Sequence, residues 1–141
     1  MPSSSRRVFH TSRAPQAIGP YSQAVIWQGL IFVSGMGPLD PATKEVVRTS
    51  FADQVRRTLD NLQAVLEDAG SSLGNVLKTG VFLKDIGNFK EFNAIYATYF
   101  TAEPPARTTV EAARLPLDIE IEVDAIACLD DSAWTAAEGH R

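Results

Sequence analysis

A chain of 141 residues can form one domain but not two independent hydrophobic cores. Apolar residues make up 45% of the chain and charged residues 21%, a composition typical of folded globular proteins and not of disordered ones. The net charge of −4 argues against a surface that binds nucleic acid non-specifically, and no apolar run approaches the roughly 18–20 residues that a membrane span requires.

The chain contains one cysteine, Cys128, and two histidines. An intrachain disulfide is therefore impossible, and these residues offer no cluster of metal ligands. The first 39 residues carry arginines but no Asp or Glu, which can indicate a transit peptide, yet patterned sequence begins within that stretch. We therefore predict a cytoplasmic protein without a metal site.

The N-terminal part of the chain predicts β-structure. Residues 8–10 have the pattern of a short strand, and residues 1–7 form an extension before it. Residues 24–27 and 30–34 are apolar and β-branched, and Gln28-Gly29 between them supplies a two-residue hairpin turn. A loop that is rich in glycine and proline follows.

Two segments have helical patterns. In residues 50–70, apolar side chains recur at spacings of three and four and form one stripe. The stripe consists of Phe51, Val55, Leu59, Leu62, Leu66 and Ala69. Ser50 with Asp53 resembles a capping box, and Gly70 stands where a glycine commonly ends a helix. The second helix is predicted from residue 88, with an inner face of Phe89, Phe92, Tyr96 and Tyr99.

Residues 76–83, 107–111 and 120–128 complete the predicted strands. The order β-β-β-α-β-α-β-β places a helical crossover on each side of residues 76–83, which implies parallel pairings there. We predict an α+β single domain over residues 8–128, a mixed sheet with two helices on one face, and a mobile tail over residues 129–141. The other sheet face keeps apolar residues, so we expect another subunit to bury it.

Five stretches carry a distinctive combination of residues. They are APQAIGPYSQA at 14–24, VSG at 33–35, PAR at 105–107, RLP at 114–116 and IEIEVDAIA at 119–127. Together, in this order and spacing, they resemble the RidA/YjgF family of enamine/imine deaminases, and Asn61 and residues 78–85 and 92–96 also fit the family's pattern. The resemblance implies a chorismate mutase-like homotrimer with a central β-barrel, clefts at the subunit interfaces and no cofactor.

Arg107 is the first candidate site residue. A 2-imino acid carries a carboxylate beside an electrophilic carbon, and a planar guanidinium binds a carboxylate with two parallel hydrogen bonds. The resemblance implies that the arginine of Pro-Ala-Arg holds the substrate carboxylate. The alternative is a surface arginine that pairs with one of the chain's own acids.

Glu122 is the second candidate. The resemblance implies that this glutamate lies beside the substrate, where it would position water and transfer a proton. Glu120 and Asp124 share its face of the strand, each about 6.5–7 Å away, and for these two a solvated polar face is favoured. Burial and repulsion would raise the pKa of at least one of the three carboxyls, whereas Arg107 would lower it.

The other candidates line the implied cleft. Tyr21 would donate a hydrogen bond to the substrate or fix the water, and Ser34 and Gly35 would close around the substrate. Asn93 would contact the substrate or support the loop, and the main-chain carbonyl of Thr109 would face the substrate nitrogen.

Met36 departs from the family pattern, since many members have Ser-Gly-Gln where this chain has Ser34-Gly35-Met36. A thioether in place of an amide makes that edge more apolar, which would favour larger apolar imino acids.

The implied activity is hydrolysis of reactive 2-imino or enamine acids to 2-oxo acids and ammonia, which limits metabolite damage. One alternative is a pathway-specific deaminase or hydrolase that acts on a related conjugated enamine. Another is a non-catalytic ligand-binding or chaperone-like protein with the same cleft. The acidic net charge makes a ribonuclease the least favoured function.

Overall fold

Six strands and two α-helices follow one another in the predicted order, in a computed structural model that describes residues 5–131. The strands are β1 (Arg7–Phe9), β2 (Ala24–Trp27), β3 (Leu30–Met36), β4 (Val76–Leu83), β5 (Ala106–Glu111) and β6 (Ile121–Cys128). The helices are α1 (Phe51–Asp68) and α2 (Phe89–Tyr99). No helix among these residues is both long and apolar enough to cross a bilayer.

The strands form one mixed sheet in the order β1-β2-β3-β6-β4-β5. The parallel pairing of β4 with β5, predicted from the crossover between them, is confirmed. The parallel pairing predicted across α1 is wrong, because β6 lies between β3 and β4 and pairs antiparallel with both. The two strands run in the same direction without touching, since the last strand of the chain is inserted between them.

The hairpin between β2 and β3 is confirmed. Gln28 and Gly29 both have positive φ, 48° and 79°, as a type I′ turn requires. This turn has the right-handed twist of the flanking strands, so it fixes their register.

Helix α1 begins and ends as predicted. The Ser50 hydroxyl accepts a hydrogen bond from the Asp53 N–H at 3.0 Å, and Gly70 follows the helix with φ 91°. The reciprocal half of the capping box is not formed, because the Asp53 carboxylate accepts from the Thr49 hydroxyl instead. The predicted apolar stripe is confirmed at its centre, where four residues are fully buried: Val55, Leu59, Leu62 and Leu66.

The predicted inner face of α2 is only partly correct. Phe92 and Tyr96 are buried, but Phe89 is exposed, and Ile95 and Phe100 are buried with them instead. Phe89 is the first residue of the helix, and its ring lies 5.5 Å from the guanidinium carbon of Arg107. The spacing pattern predicts Phe89 in the core, but Phe89 contacts the candidate site residue Arg107 instead.

The fold extends beyond residue 128. Leu129 is buried, and its N–H donates to the carbonyl of Gly29, while the Asp130 N–H donates to the carbonyl of Gly70. These two residues, which the sequence places in the C-terminal tail, therefore continue the domain. Most of that tail and of the predicted N-terminal extension lie outside the described residues.

The two faces of the sheet differ in what covers them. Along β6, alternate residues face the helices and are buried: Ile121, Val123, Ala125 and Ala127. The opposite face carries Phe32, Phe82, Val110 and Ile126, and no element of residues 5–131 covers it. Phe32 and Val110 are exposed there, so this face keeps apolar side chains in contact with water.

Candidate active site

Glu122 lies in a pocket between the uncovered sheet face and the segments before β2 and β6. The walls are formed by Tyr21, Gly35, Met36, Leu39, Leu117 and Ile119, among others, and Glu122 is the only charged residue among residues 5–131 that lines it. Tyr21, Gly35, Met36 and Glu122 are four of the predicted site residues, and the fold brings them together.

Gly35 gives the Glu122 side chain its place. A Cβ atom on Gly35 would lie 2.6 Å from Cδ of Glu122 and 2.9 Å from its Cγ, closer than real Cβ contacts allow. Only glycine therefore lets the carboxyl lie flat against β3. Asp124 of β6 packs in the same way against Gly80 of β4. Its Oδ1 accepts from the Gly80 N–H at 2.9 Å, and a Cβ on Gly80 would lie 3.2 Å from its Cγ.

Substituting each of the two glycines by alanine in turn distinguishes the role of Glu122 from that of Asp124. Gly35→Ala should displace the Glu122 carboxyl and lower kcat/KM for imino-acid hydrolysis about 10²-fold, because small misplacements of a catalytic group have effects of this size. Gly80→Ala is the matched control, since it displaces Asp124 on the same face and should reduce activity much less. Both would be measured with the imine-trapping assay described below. Equal losses would show that Glu122 has no special role.

The environment of Glu122 favours the neutral carboxyl. Burial raises the pKa of Glu122 above its ordinary value, and the nearby charge of Asp124 raises it further. The raised pKa predicted among these carboxyls is thus confirmed for Glu122. Arg107 does not oppose the shift within one chain, contrary to our prediction, because it lies on the other face of the sheet.

This raised pKa predicts how activity depends on pH. A general base must be deprotonated, so kcat/KM should fall as pH drops through the raised pKa of Glu122. Asp124→Asn removes the neighbouring charge and keeps an oxygen that can accept from the Gly80 N–H. The acidic limb should therefore move to lower pH in this variant, as measured by pH profiles corrected for spontaneous hydrolysis. A limb that stays in place or moves upward would contradict the assignment.

Three buried amide side chains hold the irregular segments around the pocket. The Gln23 amide donates to the carbonyls of Ala14 and Pro15, and the Asn61 amide donates to those of Gly37 and Leu39 at 2.9 and 2.8 Å. The carbonyl oxygen of the Gln54 side chain accepts from the N–H of Glu120 at 2.9 Å. The sequence analysis noted Asn61 only as part of the family pattern and missed Gln54. Both are polar residues on the buried side of α1, and their positions beside the apolar stripe could have pointed to them.

Tyr21 and Ser34 fix the segment that precedes β2. The Tyr21 hydroxyl accepts from the Ile18 N–H at 3.2 Å, and Tyr21 lines the pocket and is 47% exposed. Ser34 donates its hydroxyl proton to the carbonyl of Ser22 at 2.6 Å. Ser34 therefore connects β3 to this segment, whereas Tyr21 keeps a hydroxyl proton that it can donate at the pocket.

Met36 lines the pocket, but almost all of its side chain is buried. It is 4% exposed and packs in the hydrophobic core, opposite Val123 of β6. Its thioether thus contributes mainly to the core, which limits the influence on specificity that the sequence predicts for it.

Arg107 and Asn93 lie in a second pocket, on the helix side of the sheet edge, together with Tyr96, Phe100 and Pro105. One guanidinium nitrogen of Arg107 donates to Oδ1 of Asn93 at 2.8 Å, and the guanidinium carbon lies 4.8 Å from the centre of the Tyr96 ring. None of the ion pairs within residues 5–131 involves Arg107. The alternative of a surface arginine paired with an acid is therefore wrong for this part of the chain.

Thr109 lies two residues further along β5 on the same face. Its hydroxyl is buried and has no hydrogen-bond partner within the described part of the chain. In the sheet that residues 5–131 form, strand β5 is an edge strand that pairs only with β4, so some of its backbone groups point away from the sheet. Arg107, Asn93 and Thr109 thus form a half-site without an acid.

The two half-sites face opposite sides of one sheet. Arg107 pairs with Thr79, which is opposite Ala125, and all three side chains face α2. Glu122 is three positions from Ala125, so it points the other way. A single chain therefore does not bring Arg107 to Glu122.

Comparison with known proteins identifies the class of this α+β domain. The sequence profile of the family described as Endoribonuclease L-PSP matches residues 11–129. The 2-iminobutanoate/2-iminopropanoate deaminase of Escherichia coli is 48% identical over 124 residues, 86% of this chain and 96% of its own. The Reactive Intermediate Deaminase A, chloroplastic, of Arabidopsis thaliana is 43% identical, over 88% of this chain and 66% of its own.

Solved structures agree with these relatives. The crystal structure of the YjgF gene product from Escherichia coli has a TM-score of 0.83 and 46% identity, covering 86% of this chain and 98% of that one. The structure of Escherichia coli TdcF with bound serine has a TM-score of 0.84 and 38% identity, covering 88% and 99%. The chain belongs to the Endoribonuclease L-PSP family, that of the YjgF and RidA proteins, as its motifs predicted.

Within residues 5–131, no group of three or more His, Cys, Asp or Glu side chains is placed to hold a metal ion.

Proposed function

We propose that this protein hydrolyses 2-imino and enamine acids to 2-oxo acids and ammonia, at sites formed between copies of the chain. The observation that carries the proposal is the separation of two complementary half-sites. One holds a guanidinium without an acidic partner among the described residues, and the other holds a half-buried carboxyl without a cationic one. A 2-imino acid needs both, a cation for its carboxylate and a base for water.

The uncovered sheet face supports assembly of these halves. It exposes apolar side chains beside Glu122 and Asp124, and burying such a surface against another copy is the usual solution for a small domain. A homotrimer with a central barrel would bring the Arg107 edge of one copy to the Glu122 pocket of the next. The closed ring would then contain one composite site at each interface.

The reaction follows from these residues. An enamine acid first tautomerises to the imine, and Arg107 holds its carboxylate while Asn93 orients the guanidinium. The Glu122 carboxylate takes a proton from water as the oxygen adds to the imine carbon. Glu122 passes this proton to the imine nitrogen, which gives a neutral carbinolamine. The hydroxyl proton of the carbinolamine then moves through Glu122 to the amino nitrogen, the carbon–nitrogen bond breaks, and ammonia leaves as the carbonyl forms. The raised pKa of Glu122 suits a group that both accepts and returns a proton.

The remaining candidates position the substrate. Tyr21 would donate its hydroxyl proton to the substrate or to the attacking water, and Gly35 would let the substrate approach the β3 backbone. Ser34 would support this loop, and the carbonyl of Thr109 would accept from the substrate nitrogen. A cytoplasmic location remains part of the proposal, because a chain with one cysteine forms no intrachain disulfide.

The relatives support this reaction as one that the family performs, since the Escherichia coli deaminase is nearly half identical over most of both chains. The family's description names an endoribonuclease, but a net charge of −4 disfavours RNA as the partner of this chain.

The test generates 2-imino acids in place with an amino-acid oxidase and traps the survivors with semicarbazide. We expect the protein to suppress semicarbazone formation in proportion to its concentration. No suppression with small, branched or aromatic substrates would contradict the proposal and leave the pathway-specific enamine or the ligand-binding alternative. Single-stranded RNA, incubated with the protein in parallel, should stay intact.

A further inference from the structure

The segment before β6 has a strained backbone. Leu117 has φ 60° and ψ 16°, and Asp118 follows with φ 54°. The left-handed region is unfavourable for a branched, bulky residue such as leucine, and two such residues in succession are rarer still. A conformation of this kind persists only where the surrounding structure holds it, and it is frequently associated with a binding site.

Two cations from other elements hold this segment. A guanidinium nitrogen of Arg48, which precedes α1, donates to the carbonyl of Leu117 at 2.9 Å. Lys84, which follows β4, forms an ion pair with Asp118 at 3.0 Å. The Arg48 hydrogen bond anchors the Leu117 carbonyl from outside the segment, whereas the Lys84–Asp118 pair is exposed and adds little.

Leu117 is one of several apolar residues that line the Glu122 pocket. It is 50% exposed, and Ile18 lines the same pocket and is 65% exposed. Leu39 and Ile119 lie with them. Holding exposed leucine and isoleucine side chains in a concave surface is unfavourable in water and becomes favourable when an apolar ligand covers them.

We propose that Leu117 and Ile18 form the subsite for the substrate side chain and select imino acids with branched or extended apolar side chains. This inference rests on the proposed function. With the carboxylate at Arg107 of one copy and the imine carbon beside Glu122 of the next, the side chain is left to the apolar lining of the pocket. Met36, which is almost fully buried, is not the selecting residue.

The experiment compares kcat/KM for the imino acids derived from leucine and from alanine. Leu117→Asn removes the apolar contact and keeps a residue that tolerates positive φ. The ratio of the two values should fall about 10-fold, the effect of losing one apolar contact of this size. Leu77→Asn is the matched control, because Leu77 is 49% exposed at the start of β4, where β6 ends, and does not line the pocket. It should leave the ratio unchanged.

Two further variants test the geometry. Ile18→Asn changes the second residue of the proposed subsite and should also lower the ratio. Arg48→Ala releases the Leu117 carbonyl and should lower the ratio mainly through KM for the leucine-derived substrate, whereas Arg48→Lys, which can still donate, should restore part of it.

The possible failures are distinguishable. An active wild-type protein that prefers the alanine-derived substrate, or whose ratio is the same in Leu117→Asn, overturns this inference and leaves the proposed function standing. A wild-type protein that accelerates no imino acid overturns both.

Discussion

Arg107→Ala should lower kcat/KM for 2-imino acids by about 10²–10³-fold. At low substrate concentration, the rate of imine loss should then be close to the spontaneous rate. The guanidinium sits on the Tyr96 ring and is oriented by Asn93, so it is preorganised to form two parallel hydrogen bonds. Removing one partner of such a charged pair in a desolvated site costs about 2–5 kcal/mol. The measurement is the initial rate of imine loss in the trapping assay.

Two controls separate binding from folding in this variant. Arg107→Lys keeps the positive charge but not the planar fork, so it should recover only part of the activity. Arg56→Ala removes an exposed arginine whose partner is Asp53, and it should have little effect. If Arg107→Ala melts at the wild-type temperature and keeps full activity, the carboxylate clamp is wrong.

Glu122→Gln should lower kcat by about 10²–10⁴-fold while KM changes little. Glutamine has the shape of glutamate and fits against Gly35, but it cannot take a proton from water, and general base catalysis typically contributes a factor of this size. The loss should appear in kcat because Glu122 acts on the attacking water and not on the substrate carboxylate. The variant should also lose the acidic limb of the pH profile.

Glu120→Gln is the matched control for this change. Glu120 lies two residues before Glu122 and does not line the pocket. Its backbone N–H donates to Gln54, and a change of its side chain leaves that N–H in place. Its activity should stay close to wild type. Equal losses in the two variants would mean that negative charge on this strand, and not a proton transfer at Glu122, supports the reaction.

Regular elements could be predicted well because their signals are local. The apolar stripe of α1, its Ser50 cap and the alternation along β6 each follow from spacing within one segment. The position of β6 between β3 and β4 could not be predicted in this way, because strand pairing depends on contacts between residues far apart in the chain. Phe89 was placed in the core for a related reason, since spacing does not show where a helix meets the edge of a sheet.

The site was less predictable than the fold. The family motifs drew attention to Arg107 and Glu122, but only the sheet register shows that they face opposite sides. The strained Leu117 gave no signal, because an ordinary leucine in a loop does not reveal a positive φ. Gln23 is a polar residue beside a strand, and only its hydrogen bonds to the carbonyls of Ala14 and Pro15 show its role in shaping the pocket.

We propose that each active site takes Arg107 from one copy and Glu122 from another, and an experiment that mixes two inactive variants tests this arrangement. Arg107→Ala and Glu122→Gln chains would be unfolded together in equal amounts, refolded and assayed for imine hydrolysis. In a ring of mixed subunits about one interface in four combines an intact Arg107 with an intact Glu122, so about a quarter of wild-type activity should return. Each variant refolded alone should stay inactive. Mixed oligomers that form but show no recovery would contradict the composite site.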